Sequence, residues 1–321
     1  MATRPIIGLD DAFGARARGL RTLQRQLADL FEAASYDEVI PPLMERPSAL
    51  NSGAGRFLAD QTLVFSDPAD AGLLAVRPDI TPQIARIAAS RLLSSAELRL
   101  HYSGPVMLAR PDSRGGSRQP WQTGIECLGI AGADGDAEVI QLAARSMLAA
   151  GFAQPVLQVG HIGLLMALVQ GTDRTLDTWT ELLSRRSPED LRAATSEESM
   201  SDDVRNALIA MVSGLADQAW ISAAMGSFGA QFDAAAGELL ALVEKVEADI
   251  GGEVRIYADA GVMPRFLYHS GILFAGFAAG VPQALLHGGR YDAMMAAHGR
   301  DMPATGFSCD LWAWLDALKQ N

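Results

Sequence analysis

Two polar residues four positions apart could bind a small cationic group. Gln122 and Glu126 alternate with the apolar Trp121 and Ile125, and this period of two predicts a β-strand. Their side chains should therefore point to one face of a sheet, with Gly124 leaving a gap between them. A carboxylate and an amide beside such a gap would hold and orient an ammonium group and leave room for ligand backbone. A solvated polar strand face explains the same pattern about equally well.

A second candidate carboxylate lies in residues 77–82, where a predicted strand meets a predicted helix. Asp79 could contact the same ammonium group. Thr81 followed by Pro82 is also typical of a helix N-cap and the first helical position. Taken alone, the segment is explained better by helix capping, and it becomes a candidate binding segment only together with motifs elsewhere in the chain.

Other conspicuous residues predict structure rather than chemistry. The glycines of residues 288–292 are weak evidence for a phosphate-binding loop, and a tight turn that enters a helix explains them better. His161 has no partner at metal or triad spacing, so we expect it to cap a helix or to be packed. Cys127 and Cys309 have no second ligand at metal spacing, which predicts no zinc site and no disulfide.

Composition limits the classes of function. The chain has 321 residues, 49% of them hydrophobic, and a net charge of −12. Nucleic-acid affinity is built mainly from clustered Lys and Arg, so this charge disfavours a tRNA or DNA ligand. Polar and proline residues interrupt the two longest uncharged runs, 146–172 and 266–289, so neither predicts a membrane span. With no signal-peptide core at the start of the sequence, we expect a cytoplasmic protein.

The apolar periodicity predicts the elements that must position the candidate residues. Leu20, Leu23, Leu27 and Leu30 recur at helical spacing. The segment Tyr36–Glu45 contains paired prolines, which suit an edge or interface strand. Further strands are predicted at 73–76, 98–102, 121–127, 156–159, 254–257 and 272–274, a hairpin at 272–286, and helices after Thr81, at 136–150 and at 310–319.

The order of these elements predicts the fold class. Strands follow one another without a helix between each pair, which favours an α+β protein with an antiparallel sheet and helices over one face. Residues 172–250 show helical patterning and few strand signals, so we interpret them as a helical insertion.

Five segments in order resemble the catalytic-core motifs of histidyl-tRNA synthetase, a class II aminoacyl-tRNA synthetase. They are residues 77–82, 122–129, 268–271, 288–292 and 306–308, and the resemblance extends over residues 36–315. It implies a class II synthetase-like antiparallel sheet flanked by helices, formed by residues 1–171 and 251–321 around the insertion. Tyr36–Glu45 is similar to the dimer-forming first motif, which implies a homodimer.

The resemblance also implies a histidine-binding pocket. Tyr268 and His269 match the aromatic pair of the family and would line the imidazole end. Arg265 lies near the family's histidine-discriminating arginine, with spacing that differs by one residue. The full set implied is Asp79, Ile80, Thr81, Gln122, Glu126, Arg265, Tyr268 and His269.

The sequence departs from the family pattern at the positions that bind the nucleotide in the synthetases. Ala313 occupies the position of the phosphate-binding arginine of the third motif. Leu108 occupies the position of the arginine of the second motif. Asp310 replaces a glycine, so a carboxylate is expected to face phosphate or adenine. The sequence ends at Asn321, soon after the third motif, and we expect no anticodon-binding domain. These departures disfavour ATP binding in the family's mode and predict no catalysis by the chain itself. No cofactor and no metal are expected.

A synthetase-like core that keeps the amino-acid residues and loses the nucleotide residues is similar to the regulatory subunits of ATP phosphoribosyltransferase. That similarity implies a non-catalytic role in the first step of histidine biosynthesis, beside a short glycosyltransferase catalytic subunit in a hetero-oligomer. The subunit would be needed for activity and for feedback control by L-histidine. Two alternatives stay open: a truncated histidyl-tRNA synthetase-like enzyme that forms an aminoacyl adenylate, and a free-standing amino-acid-binding protein with a different partner.

Overall fold

Two β-sheets and the helices around them form the part of the chain that the structure describes. The structure, a computed structural model, describes residues 6–52, 55–70, 72–110, 117–264 and 268–319, with residues 55–57 described by their backbone alone. The described helices are α1 (Gly14–Ala33), α2 (Pro47–Asn51), α3 (Gly55–Gln61), α4 (Thr81–Ser90), α5 (Gly132–Ala150), α6 (Ile162–Leu168), α7 (Leu176–Ser184), α8 (Pro188–Ser196), α9 (Asp202–Val212), α10 (Gln218–Ala224), α11 (Ala230–Ile250), α12 (Asp292–Ala297) and α13 (Leu311–Leu318). The described strands are β1 (Asp37–Glu38), β2 (Met44–Glu45), β3 (Leu63–Ser66), β4 (Leu73–Val76), β5 (Leu98–Pro105), β6 (Trp121–Leu128), β7 (Val156–His161), β8 (Arg255–Ala258), β9 (Ile272–Phe277), β10 (Leu286–Arg290) and β11 (Ala304–Asp310).

The larger sheet has eight strands in the order β1-β5-β6-β11-β10-β9-β7-β8. Its interior pairs are antiparallel, as predicted, and only the outermost strands β1 and β8 pair in parallel with their neighbours. The prolines after β1 follow an edge strand, in agreement with the prediction for Tyr36–Glu45. Strands β2, β4 and β3 form a separate small antiparallel sheet.

Apolar residues cover both faces of the larger sheet. Ile125 and Cys127 belong to the main apolar cluster, which packs against α1, α5, α6, α11 and α13. Leu100 and Tyr102 point to the opposite face and belong to a smaller cluster with Ile84 of α4 and Met294 of α12. The expectation of helices over one face is therefore wrong in that respect, because the short apolar stripes of α4 and α12 also need a partner surface.

The segment predicted to be a helical insertion contains α7 to α11 and, within the described residues, has no strand of its own. Its buried residues, such as Trp179 and Phe232, belong to the same apolar cluster as Val159 of the sheet. The helical character is confirmed, while the division of the chain at residues 172 and 250 stays a prediction. No helix in the described ranges is long and apolar enough to cross a bilayer.

Candidate functional site

Four of the predicted site residues meet where α4 begins above strand β6. Asp79, Thr81, Gln122 and Glu126 are each at most 7% exposed. The amide Nε2 of Gln122 donates to Asp79 Oδ1 over 2.7 Å, and its Oε1 accepts from the backbone N–H of Ile80 over 2.9 Å. The hydroxyl of Thr81 donates to Glu126 Oε1 over 2.7 Å. Gln122 and Glu126 thus lie on one buried face of the sheet, and a solvated polar strand face is excluded.

Residues at the start of α4 contribute both to the helix N-terminus and to the polar cluster. Ile80, and not Thr81, occupies the N-cap position, and its apolar side chain supplies no cap. The Thr81 hydroxyl is directed to Glu126. Asp79 Oδ1 accepts from the backbone N–H of Thr81 over 3.1 Å in addition to its bond from Gln122. The prediction of Thr81 as N-cap is therefore wrong, and Asp79 serves both the helix start and the polar cluster.

Two tyrosines complete the cluster, and sequence reasoning missed both as site residues. Tyr291 donates to Glu126 Oε2 over 2.5 Å, and Tyr102 donates to Glu126 Oε1 over 3.1 Å. Tyr102 is opposite Gly124 in the β5–β6 register, so the cross-strand gap that the glycine leaves admits its ring. The alternation of β5 indicates that Leu100 and Tyr102 share a face, but only the strand register shows which residue of β6 the tyrosine meets.

Burial controls the protonation of Glu126. Loss of hydration raises the pKa of its carboxyl from 4.5 to about 8, and the negative charge of Asp79 acts in the same direction. Hydrogen bonds from Tyr291, Thr81 and Tyr102 oppose the shift but do not outweigh burial. Glu126 is therefore mostly protonated near pH 7 in the absence of ligand. A cation beside it would favour the ionised form.

The glycines at the site are all closely covered by other parts of the protein. A side chain at Gly124 would collide with the Phe307 carbonyl and with the hydroxyl of Tyr102, so the expected gap for ligand backbone at that position is filled by the protein itself. Gly306 is opposite Glu126 in the β11–β6 register, and a side chain there would collide with the Glu126 carboxylate. Gly289 is opposite Gly306, and the imidazole of His269 lies over it. Gly306 and Gly289 are thus neighbours on one face of the sheet, where the Glu126 carboxylate covers the first and the His269 imidazole covers the second.

The aromatic pair forms one wall of the site. The rings of Tyr268 and His269 are stacked, with centroids 4.8 Å apart and planes 25° apart. The Tyr268 hydroxyl donates to Asp79 Oδ2 over 3.3 Å. Ile80 is fully buried in the smaller apolar cluster, so its contribution to the polar cluster is its backbone N–H. Arg265 lies outside the described residues, and its role stays a prediction.

These walls enclose a small cavity of about 30 Å³, lined by Thr81, Glu126, Tyr268, His269, His287 and Ser308 among others. That volume holds one or two water molecules. An amino acid would therefore enter only after a wall moves.

The nucleotide side of the synthetase pattern is changed in structure as well as in sequence. Asp310 Oδ1 accepts from the backbone N–H groups of Trp121 and Trp312, both over 3.0 Å, and caps α13. The expectation that this carboxylate faces phosphate or adenine is wrong, since a helix N-terminus attracts it. The backbone N–H of Leu108 donates to the Arg118 carbonyl, and the Leu108 carbonyl accepts from Arg118 Nε. Ala313 lies within α13.

Residues 288–292 have a structural role, but not the predicted one. Gly288, Gly289 and Arg290 lie in the central strand β10 and not in a turn, and the chain enters α12 only after Tyr291. The guanidinium of Arg290 pairs with Asp136 over 2.9 Å, and both side chains are less than 10% exposed. The arginine is therefore committed to an internal ion pair, which agrees with the weak evidence for phosphate binding.

The remaining candidates are structural. His161 Nδ1 accepts from the backbone N–H of Gly163 and caps α6, as predicted. Cys127 and Cys309 are both buried and free. Within the described ranges, no group of three His, Cys, Asp or Glu residues could hold a metal ion. A cavity of about 530 Å³ lies beside α1 and α5 around the Tyr36–Glu138–Arg99 hydrogen-bond network, and its lining shares no residue with the polar cluster.

Comparison with known proteins gives the class and then the family. The model of the histidyl-tRNA synthetase family matches residues 8–313. A solved structure described as an ATP phosphoribosyltransferase regulatory subunit/histidyl-tRNA synthetase, from Bacillus halodurans, superposes with a TM-score of 0.88 over 99% of this chain and 84% of its own, at 24% identity. Histidyl-tRNA synthetase from Nostoc sp. PCC 7120 superposes with a TM-score of 0.81 over 99% of this chain and 76% of its own, at 15% identity. The fold is that of the histidyl-tRNA synthetase class.

Curated relatives identify the family within this fold class. ATP phosphoribosyltransferase regulatory subunits from Thioalkalivibrio sulfidiphilus and Alkalilimnicola ehrlichii are each 35% identical over 95% of this chain. The matched regions cover 78% and 77% of those two proteins. The chain therefore belongs to the family of ATP phosphoribosyltransferase regulatory subunits.

Proposed function

We propose that this protein is the non-catalytic regulatory subunit of ATP phosphoribosyltransferase, the enzyme of the first step of histidine biosynthesis. It would activate a short catalytic subunit, a glycosyltransferase, and make that subunit sensitive to histidine in the cytoplasm. The observation that carries the proposal is the contrast within one site. The amino-acid side keeps Asp79, Gln122 and Glu126 in a buried hydrogen-bonded cluster, whereas Leu108 and Ala313 replace the cations that would bind a triphosphate.

L-Histidine is the effector that this site favours. Its ammonium group would meet Asp79 and Glu126, and the stacked Tyr268 and His269 would contact its imidazole. Thr81 and Gln122 would orient these partners, because each is fixed by hydrogen bonds to a carboxylate. The backbone of Ile80, and Arg265 from the segment preceding the aromatic pair, complete the proposed set.

A homodimer formed through Tyr36–Glu45 is the second part of the proposal. The segment presents apolar side chains to solvent in the single chain: Ile40 is 81% exposed, and Leu43 and Met44 are each 44% exposed. Neighbouring Phe65 and Leu73 of the small sheet are 40% and 54% exposed. Adjacent exposed apolar side chains of this kind are typical of an association surface.

Regulation then follows from linkage. Histidine can shift the hetero-oligomer toward a less active arrangement only if it binds that arrangement more tightly than the active one. The cavity of about 30 Å³ is smaller than histidine, so binding would require the side chains around it to rearrange.

Reconstitution tests the proposal. The short catalytic subunit is assayed for ATP phosphoribosyltransferase activity alone, with this chain, and with this chain plus L-histidine. We expect low activity alone, high activity with the chain, and inhibition by histidine only when the chain is present. Histidine-dependent exchange of pyrophosphate into ATP by the purified chain would instead support the adenylate-forming alternative. Failure to co-purify with the catalytic subunit, together with histidine binding, would support a free-standing binding protein.

A further inference from the structure

Another cavity, about 230 Å³ in volume, lies between α1 and the larger sheet. Its lining comprises Arg21, Gln24, Arg25, Ala28, Phe31, Glu38, His101, Ser103 and Thr123. Thr123 alternates with Gln122 along β6, so the cavity is on the opposite face of the sheet from the polar cluster. It has room for roughly ten water molecules, and a small ligand would enter it without displacing a wall.

Positive charge prevails in the lining of this cavity, although the chain as a whole carries a net charge of −12. Arg21 and Arg25 are four residues apart on α1 and therefore share one side of the helix, and Glu38 is the carboxylate of the lining. The guanidinium of Arg21 lies 5.1 Å from the centre of the Trp121 ring and donates to Gln24 Oε1 over 2.6 Å, which fixes its position. The cavity beside α1 and α5, by contrast, has more carboxylates than cations in its lining. A local excess of cations in an acidic chain favours an anionic ligand.

Hydrogen bonds in the wall of the cavity leave one hydroxyl proton for a ligand. Ser103 Oγ accepts from Gln24 Nε2 over 3.0 Å and from Trp121 Nε1 over 3.1 Å, which occupies both of its lone pairs. In its 2.6 Å contact with Thr123 Oγ1, Ser103 must therefore be the donor. The hydroxyl of Thr123, a residue only 2% exposed, keeps its own proton for a further acceptor. An acceptor oxygen of a ligand would satisfy this buried donor.

The other end of the cavity suits neutral hydroxyl groups. His101 is 2% exposed, and its Nε2 atom has no hydrogen-bond partner among the described residues. Glu38 is opposite His101 in the β1–β5 register, so their side chains share the face that α1 covers. The negative charges of Glu38, Glu32 and Asp37 all act on His101, which disfavours a second anion there. A carboxylate and an imidazole readily exchange hydrogen bonds with hydroxyl groups.

We propose that this cavity binds a small sugar phosphate. The phosphate group lies between the guanidinium groups of Arg21 and Arg25 and accepts from the hydroxyl of Thr123. The sugar hydroxyls contact Glu38 and His101. The assignment does not depend on histidine binding, because it uses the opposite face of the sheet, and it gives the chain a second ligand site.

Calorimetric titration of the full chain in a phosphate-free buffer tests the assignment, with ribose 5-phosphate, inorganic phosphate and ribose as probes. The wild type should bind one ribose 5-phosphate per chain, inorganic phosphate more weakly, and ribose without measurable heat. Arg25→Gln should weaken ribose 5-phosphate binding about 10- to 100-fold, the range for hydrogen bonds to a charged group. Thr123→Val keeps the shape of the side chain and should weaken it about 3- to 10-fold. Arg18→Gln is the matched control and should bind like the wild type, because Arg18 is an exposed arginine of α1 that does not line the cavity.

The contrary results are distinct. Equal affinity for ribose 5-phosphate in the wild type and Arg25→Gln would overturn the assignment, as would equal weakening by Arg25→Gln and Arg18→Gln, which indicates attraction by net charge alone. Inorganic phosphate bound as tightly as ribose 5-phosphate would overturn the role of Glu38 and His101 in holding a sugar. No saturable heat from any probe at millimolar concentration would overturn the site. L-Histidine titrations of Arg25→Gln should match the wild type, so failure of the phosphate site leaves the proposed function standing.

Discussion

Replacing Glu126 with glutamine should remove a pH dependence from the stability of this protein. The carboxyl is 2% exposed, and burial raises its pKa from 4.5 to about 8. Between these values the folded protein keeps the proton while the unfolded chain releases it. The stability contributed by the protonated group is therefore fully present below about pH 4.5 and is lost as the pH rises to about 8. Each pH unit in that window costs about 1.4 kcal/mol, and the whole window costs roughly 5 kcal/mol.

Glutamine keeps the shape and hydrogen-bonding capacity of the protonated carboxyl but does not ionise. Tyr291 and Tyr102 can exchange donor and acceptor roles to suit the amide, so the variant should fold. Urea unfolding of both proteins from about pH 5 to about pH 9 measures the difference. We expect Glu126→Gln to gain stability relative to the wild type as the pH rises, and to stop gaining near pH 8. Parallel stability curves for the two proteins would refute the reasoning, because Glu126 would then ionise alike in the folded and unfolded chains.

Three further predictions follow from other contacts. Asp310→Ala should lower the free energy of unfolding by about 0.5–2 kcal/mol, the cost of losing an N-cap, and leave histidine affinity unchanged by calorimetry; a loss of affinity would return Asp310 to the ligand site. Ile40→Asp combined with Met44→Asp should convert the proposed dimer to a monomer in analytical ultracentrifugation, because charges would replace exposed apolar contacts, while a Leu93→Asp control on another surface should leave the proposed dimer intact. Since an ammonium group favours ionised Glu126, calorimetry should show histidine affinity rising by up to about tenfold per unit between about pH 6 and pH 8, and a flat profile in that range would contradict this coupling.

Periodicity was enough to predict most of the fold. The leucines of α1, the alternation in β5 and β6, and the helical character of residues 172–250 depend on local patterns, and the structure agrees with them. The glycines at 288 and 289 were predicted to form a turn because Gly in a sequence usually marks one. In the structure they lie in β10, where His269 covers Gly289 and the ring of Phe274 approaches Gly288 too closely for a side chain. A close approach between elements distant in sequence leaves no local signal.

In the candidate site too, local features could be predicted from the sequence, whereas contacts between distant elements could not. The phase of β6 predicted that Gln122 and Glu126 share a face, which requires only the geometry of one strand. Which glycines lie beneath the Glu126 and His269 side chains could not be predicted, because it depends on which residues of β5, β10 and β11 are opposite one another. The orientation of Asp310 was predicted wrongly for a related reason. Its carboxylate accepts from the backbone N–H of Trp312 in the helix that it caps, and also from that of Trp121, which lies on another strand.

Calorimetric titration of the purified chain with L-histidine in the absence of nucleotide tests the central claim most directly. The account predicts saturable binding of one histidine per chain, unchanged when ATP and magnesium are added and strongly weakened by Asp79→Asn, which removes the carboxylate that Gln122 orients. No saturable heat at millimolar histidine, or binding that appears only when ATP is present, would contradict it.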